Sequence, residues 1–212
     1  MAGNQPSFRK NIWVLAPAFG MVLFVILYFI STLLYPGGSQ VDNHSIGFSW
    51  INNYWCNLLS QNAINGEPNP GRPIAIGAML LLCLALANFW FIFPQMAGFQ
   101  KSGRLIIQIS GIFSMMITGF LFTDFHDVII DIASLFGLVA ILGTFIGLRK
   151  LKWNNLFRMG IFSLGLITLN NILYYGAGLK LYLPLVQKIS FLYFLLWFFL
   201  IILKMYKKYS YQ

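Results

Sequence analysis

Charge is what this sequence has least of. Only 9% of its 212 residues are Asp, Glu, Lys or Arg, and just five of these are acidic. A soluble domain is typically about 25% charged. A soluble chain this poor in charge would leave most of its surface unsolvated. Cysteine is nearly missing as well, with only Cys56 and Cys83. That excludes a disulfide framework and the paired CxxC knuckles of a zinc site. There is no nucleophile elbow, no P-loop and no dinucleotide fingerprint. No basic run is long enough to track a nucleic-acid backbone. The formal net charge of +9 therefore does not point to nucleic acid.

What the chain has is apolar length. Hydrophobic residues make up 58% of it, in six continuous runs at about 13–35, 73–96, 105–122, 125–148, 156–177 and 184–205. A helix needs about 20 apolar residues to cross the hydrocarbon core. A β-barrel would show shorter alternating segments instead. The expectation is an all-α, polytopic bundle of six transmembrane helices forming one domain over 1–212. The first run is too long for a signal-peptide core and no small-residue cleavage site follows it, so it reads as a retained span.

The basic residues set the expected orientation. Arg9, Lys10, Lys101, Arg104, Arg149, Lys150, Lys152, Arg158, Lys204, Lys207 and Lys208 fall on one side of a six-span chain. Arg72, Lys180, Lys188 and all five acids fall on the other. Orientation follows this bias near the spans, which puts both termini in the cytoplasm. The membrane is then the plasma membrane, the inner one in a double-membraned bacterium. The connection 36–72 is the long first outer loop. Apolar residues at helical spacing suggest a short interfacial helix over Ile46–Leu59, capping the bundle.

Chemistry concentrates near the start of the fourth run. Asp124, Asp127 and Asp131 lie at roughly 0°, 300° and 340° around a helix, and Ser134 extends that face. Thr123 or Asp124 is a natural N-cap, and Asp127 sits where an acid complements the helix dipole. Asp131 lies roughly 10 Å further along, beyond the reach of capping. An ionisable group so placed in a span usually marks a cavity or pathway. His126 lies off the acidic face and reads as structural, or else as a proton carrier or metal ligand. The fifth run brings Asn170 and Asn171 to a matching depth, with Tyr174 and Tyr175 one turn above. In the sixth, Lys188 is placed to neutralise Asp131 across the bundle. Polar residues of the inner halves (Asn88, Gln108, Ser110, Thr144, Ser163) are scattered and non-ionisable. The asymmetry points to a polar pocket opening outward. Gly143-x-x-x-Gly147 permits close helix approach, more simply within the chain than between copies.

The loop motif Asn53-Tyr54-Trp55-Cys56-Asn57-Leu58-Leu59, the later Asn65-Gly66-x-Pro68-Asn69-Pro70-x-Arg72-Pro73 and the acid-and-histidine opening of the fourth span carry a resemblance. The chain resembles a bacterial family of uncharacterised six-span membrane proteins and, more distantly, the DRAM/Frag-type six-span family. The resemblance implies fold and topology, with no reaction and no catalytic residues. Intramembrane hydrolases of the alkaline ceramidase type are similar in placing acid, Ser and His at one membrane face. They need three histidines, and this chain has His44 and His126 alone.

The functional expectation is a pocket binding a lipid or other amphiphile, or an accessory subunit of a membrane complex, with membrane lipids or other subunits as partners and no cofactor. The alternative is a membrane-embedded hydrolase using Asp124, His126, Asp127 and Asp131, with or without a metal. A proton-coupled transporter would want ionisable groups leading to the cytoplasmic side, which the runs lack.

Overall fold

The structure, a computed structural model, describes residues 12–176 and 178–210, without the side chains of 209 and 210. Arg9, Lys10 and Ala177, which entered the sequence reading, lie outside the described residues. Six long helices follow one another: α1 (Ala16–Leu33), α2 (Arg72–Met96), α3 (Lys101–Thr118), α4 (His126–Lys150), α5 (Asn154–Tyr175) and α6 (Leu183–Ser210). A 3-10 turn, Ile12–Leu15, leads into α1. By length and composition, five of the helices are able to cross a membrane. The exception is α3, whose first eight residues include Lys101, Arg104 and Gln108.

Chain neighbours pack on one another, with α1 on α2, α2 on α3, α3 on α4 and α5 on α6, and α1 also touches α6. Aromatic side chains fill the centre. Phe89 and Trp90 of α2 meet Phe198 of α6 edge-on, at 4.8 and 5.5 Å between ring centroids. Buried indoles still need acceptors. Trp90 donates to Thr144 Oγ1 (3.2 Å), and Trp197 donates to the Leu156 carbonyl (2.7 Å). Gly143 and Gly147 are packing positions within the chain. A Cβ at Gly147 would come within 2.6 Å of Phe93, and one at Gly143 would strike Ile107.

One end of the bundle carries the segment 34–71 and is called here the capped end. The other, the basic end, carries Lys101, Arg104, Arg149, Lys150, Lys204 and Lys207 at helix termini. Several of these cations lie over rings: Arg149 over Phe157, Lys150 over Phe99 and Lys204 over Trp153, at 4.4–5.2 Å.

The helix expected over Ile46–Leu59 is not there. Turns and bends occupy that stretch, followed by a 3-10 turn, Trp55–Leu59. Side chains compete with the helical ladder: Asn53 Oδ1 accepts from the Ser49 N–H (2.8 Å), and Asn57 Oδ1 accepts from that of Tyr54 (2.7 Å). Short polar side chains bonding nearby backbone favour turns over helix. Gly47, at φ +69°, also suits a turn. Nor does Thr123 or Asp124 cap α4. The N-cap is Phe125, with no side-chain bond, and Asp124 is exposed in the turn before it.

Candidate functional site

Polar chemistry at the capped end divides into two regions. The first is the cap. Asn53 is fully buried and holds two strands of the loop together: its Nδ2 donates to the Gly38 carbonyl (2.8 Å) while its Oδ1 takes Ser49 N–H. Asn69 donates to the Leu58 and Ser60 carbonyls and accepts from Gly71 N–H. Three helices are tied to this loop. Ser31 of α1 donates to the Gly71 carbonyl (2.9 Å), Arg72 of α2 donates to the Leu59 and Phe122 carbonyls, and Gln187 of α6 accepts from Trp55 N–H (3.4 Å).

Lys188 belongs to the cap. It is 4% exposed, and its ammonium donates to the carbonyls of Asn53 and Pro184, 5.5 Å from the Phe48 ring centroid. The sequence had suggested Asp131 as its counter-charge. The structure instead gives it carbonyls beneath the loop. Cys56 is partly buried nearby, and burial pushes its thiol up to about 11. On the loop's flank lies an open hollow of about 540 Å³ bordered by His44 and Glu67, both exposed.

The second region is the seam between α4 and α5. Near the basic end it is closed. Phe145 of α4 and Phe157 of α5 meet at 5.3 Å, and Gly160 fits so tightly that a Cβ would come within 2.5 Å of Phe145 and Trp197. Ile141 is buried too. Toward the capped end the same faces emerge. Asp131, Ser134 and Leu138 on α4 are exposed, as are Thr168, Asn171 and Tyr175 on α5. Asp127 is 87% exposed.

Helical geometry puts these residues on the faces of α4 and α5 that meet at the ring contact. Asp131 lies fourteen residues before Phe145, and Asn171 fourteen after Phe157. Fourteen residues return each side chain to within about 40° of the ring it is counted from, roughly 21 Å along the axis. The same counting matches Leu138 with Leu164, Ser134 with Thr168, and Asp127 with Tyr175. Four levels thus rise from the ring contact, the upper three polar on both helices. The lower part is packed, and above it the residues at these levels are exposed, apart from the half-buried Leu164.

The sequence candidates therefore separate. Asp127, Asp131, Ser134, Asn171 and Tyr175 fall on the helix faces that meet at the ring contact. Asn170 turns to α6, donating to Ser190 Oγ (2.7 Å), while its own Oδ1 is buried with no partner among the described residues. Tyr174 packs on Tyr175 at 5.0 Å and lies under the Lys180 ammonium, also at 5.0 Å. His126 touches Asp127, Nδ1 to Oδ1, at 3.2 Å. Asp124 stays outside, in the turn. Thr168 escaped the sequence reading because a lone threonine in an apolar run is unremarkable until its partner across the seam is known. Among the described residues, no three His, Cys, Asp or Glu side chains gather as a metal site would require. No protein-family model matches the chain, and no characterised protein or solved structure matches it either.

Proposed function

We infer that this is a six-span membrane protein whose α4–α5 cleft binds a lipid or similar amphiphile from the outer leaflet. The observation that carries this reading is the cleft's depth. From Leu138 to Asp127, and from Leu164 to Tyr175, eleven residues rise about 16 Å. That is close to half of a roughly 30 Å hydrocarbon core. A cleft one leaflet deep and closed below suits an acyl chain with its head at the Asp131–Asn171 and Asp127–Tyr175 levels. A spanning helix of a partner subunit would run into the Phe145–Phe157 contact, so the accessory-subunit reading fits less well.

The topology belongs to the same proposal. Eighteen residues of α3 reach about 27 Å, enough to cross beside α2 and α4, with its basic first turn at the interface. The chain is then one transmembrane domain, with its basic end and both termini in the cytoplasm by the positive-inside bias. The membrane is the plasma membrane, or the inner one of two. The resemblance to six-span bacterial proteins supports the same arrangement. The contact between His126 and Asp127 keeps a hydrolase as the second reading. Such an enzyme would work with Asp131 and without a three-ligand metal site.

Native mass spectrometry of the purified protein tests the cleft. Leu138→Trp places an indole where the cleft begins and should remove at least nine-tenths of co-purified or added lipid, while the variant remains folded and monodisperse. Undiminished lipid binding by a folded variant would reject the cleft as the site.

A further inference from the structure

The loop 34–71 carries a surface that the cap's own packing does not use. Its turn 49–53 is closed by Asn53 N–H on the Ser49 carbonyl (2.9 Å), by Asn52 N–H on Ser49 Oγ (3.2 Å) and by Ser49 N–H on Asn53 Oδ1 (2.8 Å). Asn53 is buried, which anchors the turn in the cap, while Trp50 and Ile51 are exposed. Other rings fix the place of Trp50. It stacks on Phe29 of α1 at 5.9 Å, with 29° between the planes, and meets Phe48 edge-on at 5.6 Å. Phe48 in turn meets the buried Tyr35 edge-on at 5.6 Å. A chain of four rings thus runs from the flank of α1 into the cap.

Phe29 gives the level of this turn. The stretch Ile12–Leu33 is able to cross a membrane, and its 22 residues are close to the roughly 20 that a crossing needs. Leu33 therefore stands near the edge of the hydrocarbon, with Phe29 about 6 Å inside. Helical side chains lean toward the helix N-terminus, which takes the Phe29 ring deeper still. Ile26, Phe29 and Leu33 share one face of α1 and are all exposed, so this flank faces lipid. A ring stacked within 5.9 Å of Phe29 lies at the edge of the hydrocarbon or inside it, not in bulk water above. Charge agrees with this placement. Residues 45–66 include no Asp, Glu, Lys, Arg or His. The loop's acids and its histidine lie elsewhere: Asp42 accepts from His44 N–H, and His44 and Glu67 border the open hollow. Indoles favour the membrane–water boundary, where the ring body is in apolar surroundings and the N–H reaches polar ones. The Trp50 N–H has no acceptor among the described residues.

We propose that the turn 49–53 is a lipid contact: Trp50 and Ile51 rest in the leaflet at the capped end, against the lipid that covers Phe29, with the indole N–H toward the headgroups. The continuity of Trp50 with the lipid-facing flank of α1 selects lipid over a partner protein as the occupant. The loop is then held on the bundle by Asn53 and on the bilayer by Trp50, while Asp42 and His44 stay in water.

Nitroxide labels on Ile51→Cys and Asn43→Cys test this in the full-length protein reconstituted in phosphatidylcholine vesicles, with the unsubstituted chain giving the background from Cys56 and Cys83. Collision with oxygen, which concentrates in lipid, is measured against collision with a nickel chelate, which stays in water. The proposal expects the oxygen-to-nickel ratio at position 51 to exceed that at position 43 at least threefold. Equal ratios would overturn it and put the turn in water. Low collision with both reagents at position 51 would also overturn it, since protein would then cover the turn. The native side chain supplies a check that no label can distort. Bromines on the upper part of the acyl chains should quench tryptophan emission, and the quenched fraction should fall by at least a tenth in Trp50→Phe. An unchanged fraction would reject the contact for Trp50. Neither measurement depends on the cleft, and Leu138→Trp should leave the nitroxide ratios as they are.

Discussion

The cap and the cleft lie at the same end of one bundle, yet they treat polar atoms in opposite ways. In the cap, Asn53, Asn69, Arg72 and Lys188 each find partners on the protein itself. In the cleft, Asp127, Asp131 and Ser134 stand exposed on a helix face that is packed a few turns below. Buried polar groups that are internally satisfied fix one conformation. Asp131 and Ser134, exposed and without a hydrogen-bond partner among the described residues, are free to meet something that arrives. The buried charge of Lys188, the more conspicuous of the two in the structure, is therefore the architectural one, and the exposed Asp131 is the candidate for function.

Mutations sharpen this contrast. The largest effect belongs to Asn53→Ala, which strands Gly38 C=O and Ser49 N–H inside the cap. At about 1–3 kcal/mol for each buried group left unpaired, the loss should total about 3 kcal/mol, read as a lower thermal midpoint in detergent. Lys188→Met keeps most of the stem and removes the ammonium. It should cost about 2 kcal/mol and raise thiol reactivity at Cys56 as the loop loosens. Asp131→Leu should behave oppositely. Stability in lipid-free detergent should stay within about 0.5 kcal/mol of the native chain or rise, while lipid binding weakens. A fall comparable to that of Asn53→Ala would move Asp131 into the architectural class and erase the distinction.

The smallest effect is a labelling rate. Ile46 is 98% exposed at the loop tip. With its thiol pushed up to about 11 by burial, Cys56 is almost wholly protonated at pH 7.5. A membrane-impermeant maleimide should therefore modify Ile46→Cys within minutes from outside intact cells and leave native Cys56 largely unreacted. Cysteine at Ser102, exposed in the first turn of α3, should react only after the membrane is opened. Reaction at Ser102→Cys from outside would undo the proposed orientation.

The sequence made the helices legible because twenty-residue apolar runs have few alternative folds. It also placed the acid stripe on one face of α4, since Asp127, Asp131 and Ser134 obey the helical repeat. Partnership across helices was harder to read. Asn170 and Asn171 are neighbours in sequence but about 100° apart on α5, so one serves α6 and the other the cleft. Depth alone had grouped them. The cap was misread for a related reason. Apolar spacing over Ile46–Leu59 fits a helix, but Asn53, Asn57 and Gly47 bond or bend the backbone locally, and periodicity does not register that competition.

The link between α4 and α5 is only Leu151, Lys152 and Trp153, with Lys152 in the left-handed region at φ +58° and Trp153 N–H bonded back to the Leu148 carbonyl at 2.9 Å. So short a link acts as a gauge. It decides which rung of one rail stands opposite which rung of the other, far away at the capped end. One residue inserted within α5, between Phe157 and Asn171, would slide the rest of the helix along by about 1.5 Å and turn it by about 100°. Asn171 would swing off the stripe facing Asp131, with every cleft residue unchanged in identity. Spacing between the ring contact and the polar levels therefore matters as much as the residues at those levels, and a chain that kept those residues but changed that spacing by one would lose the match.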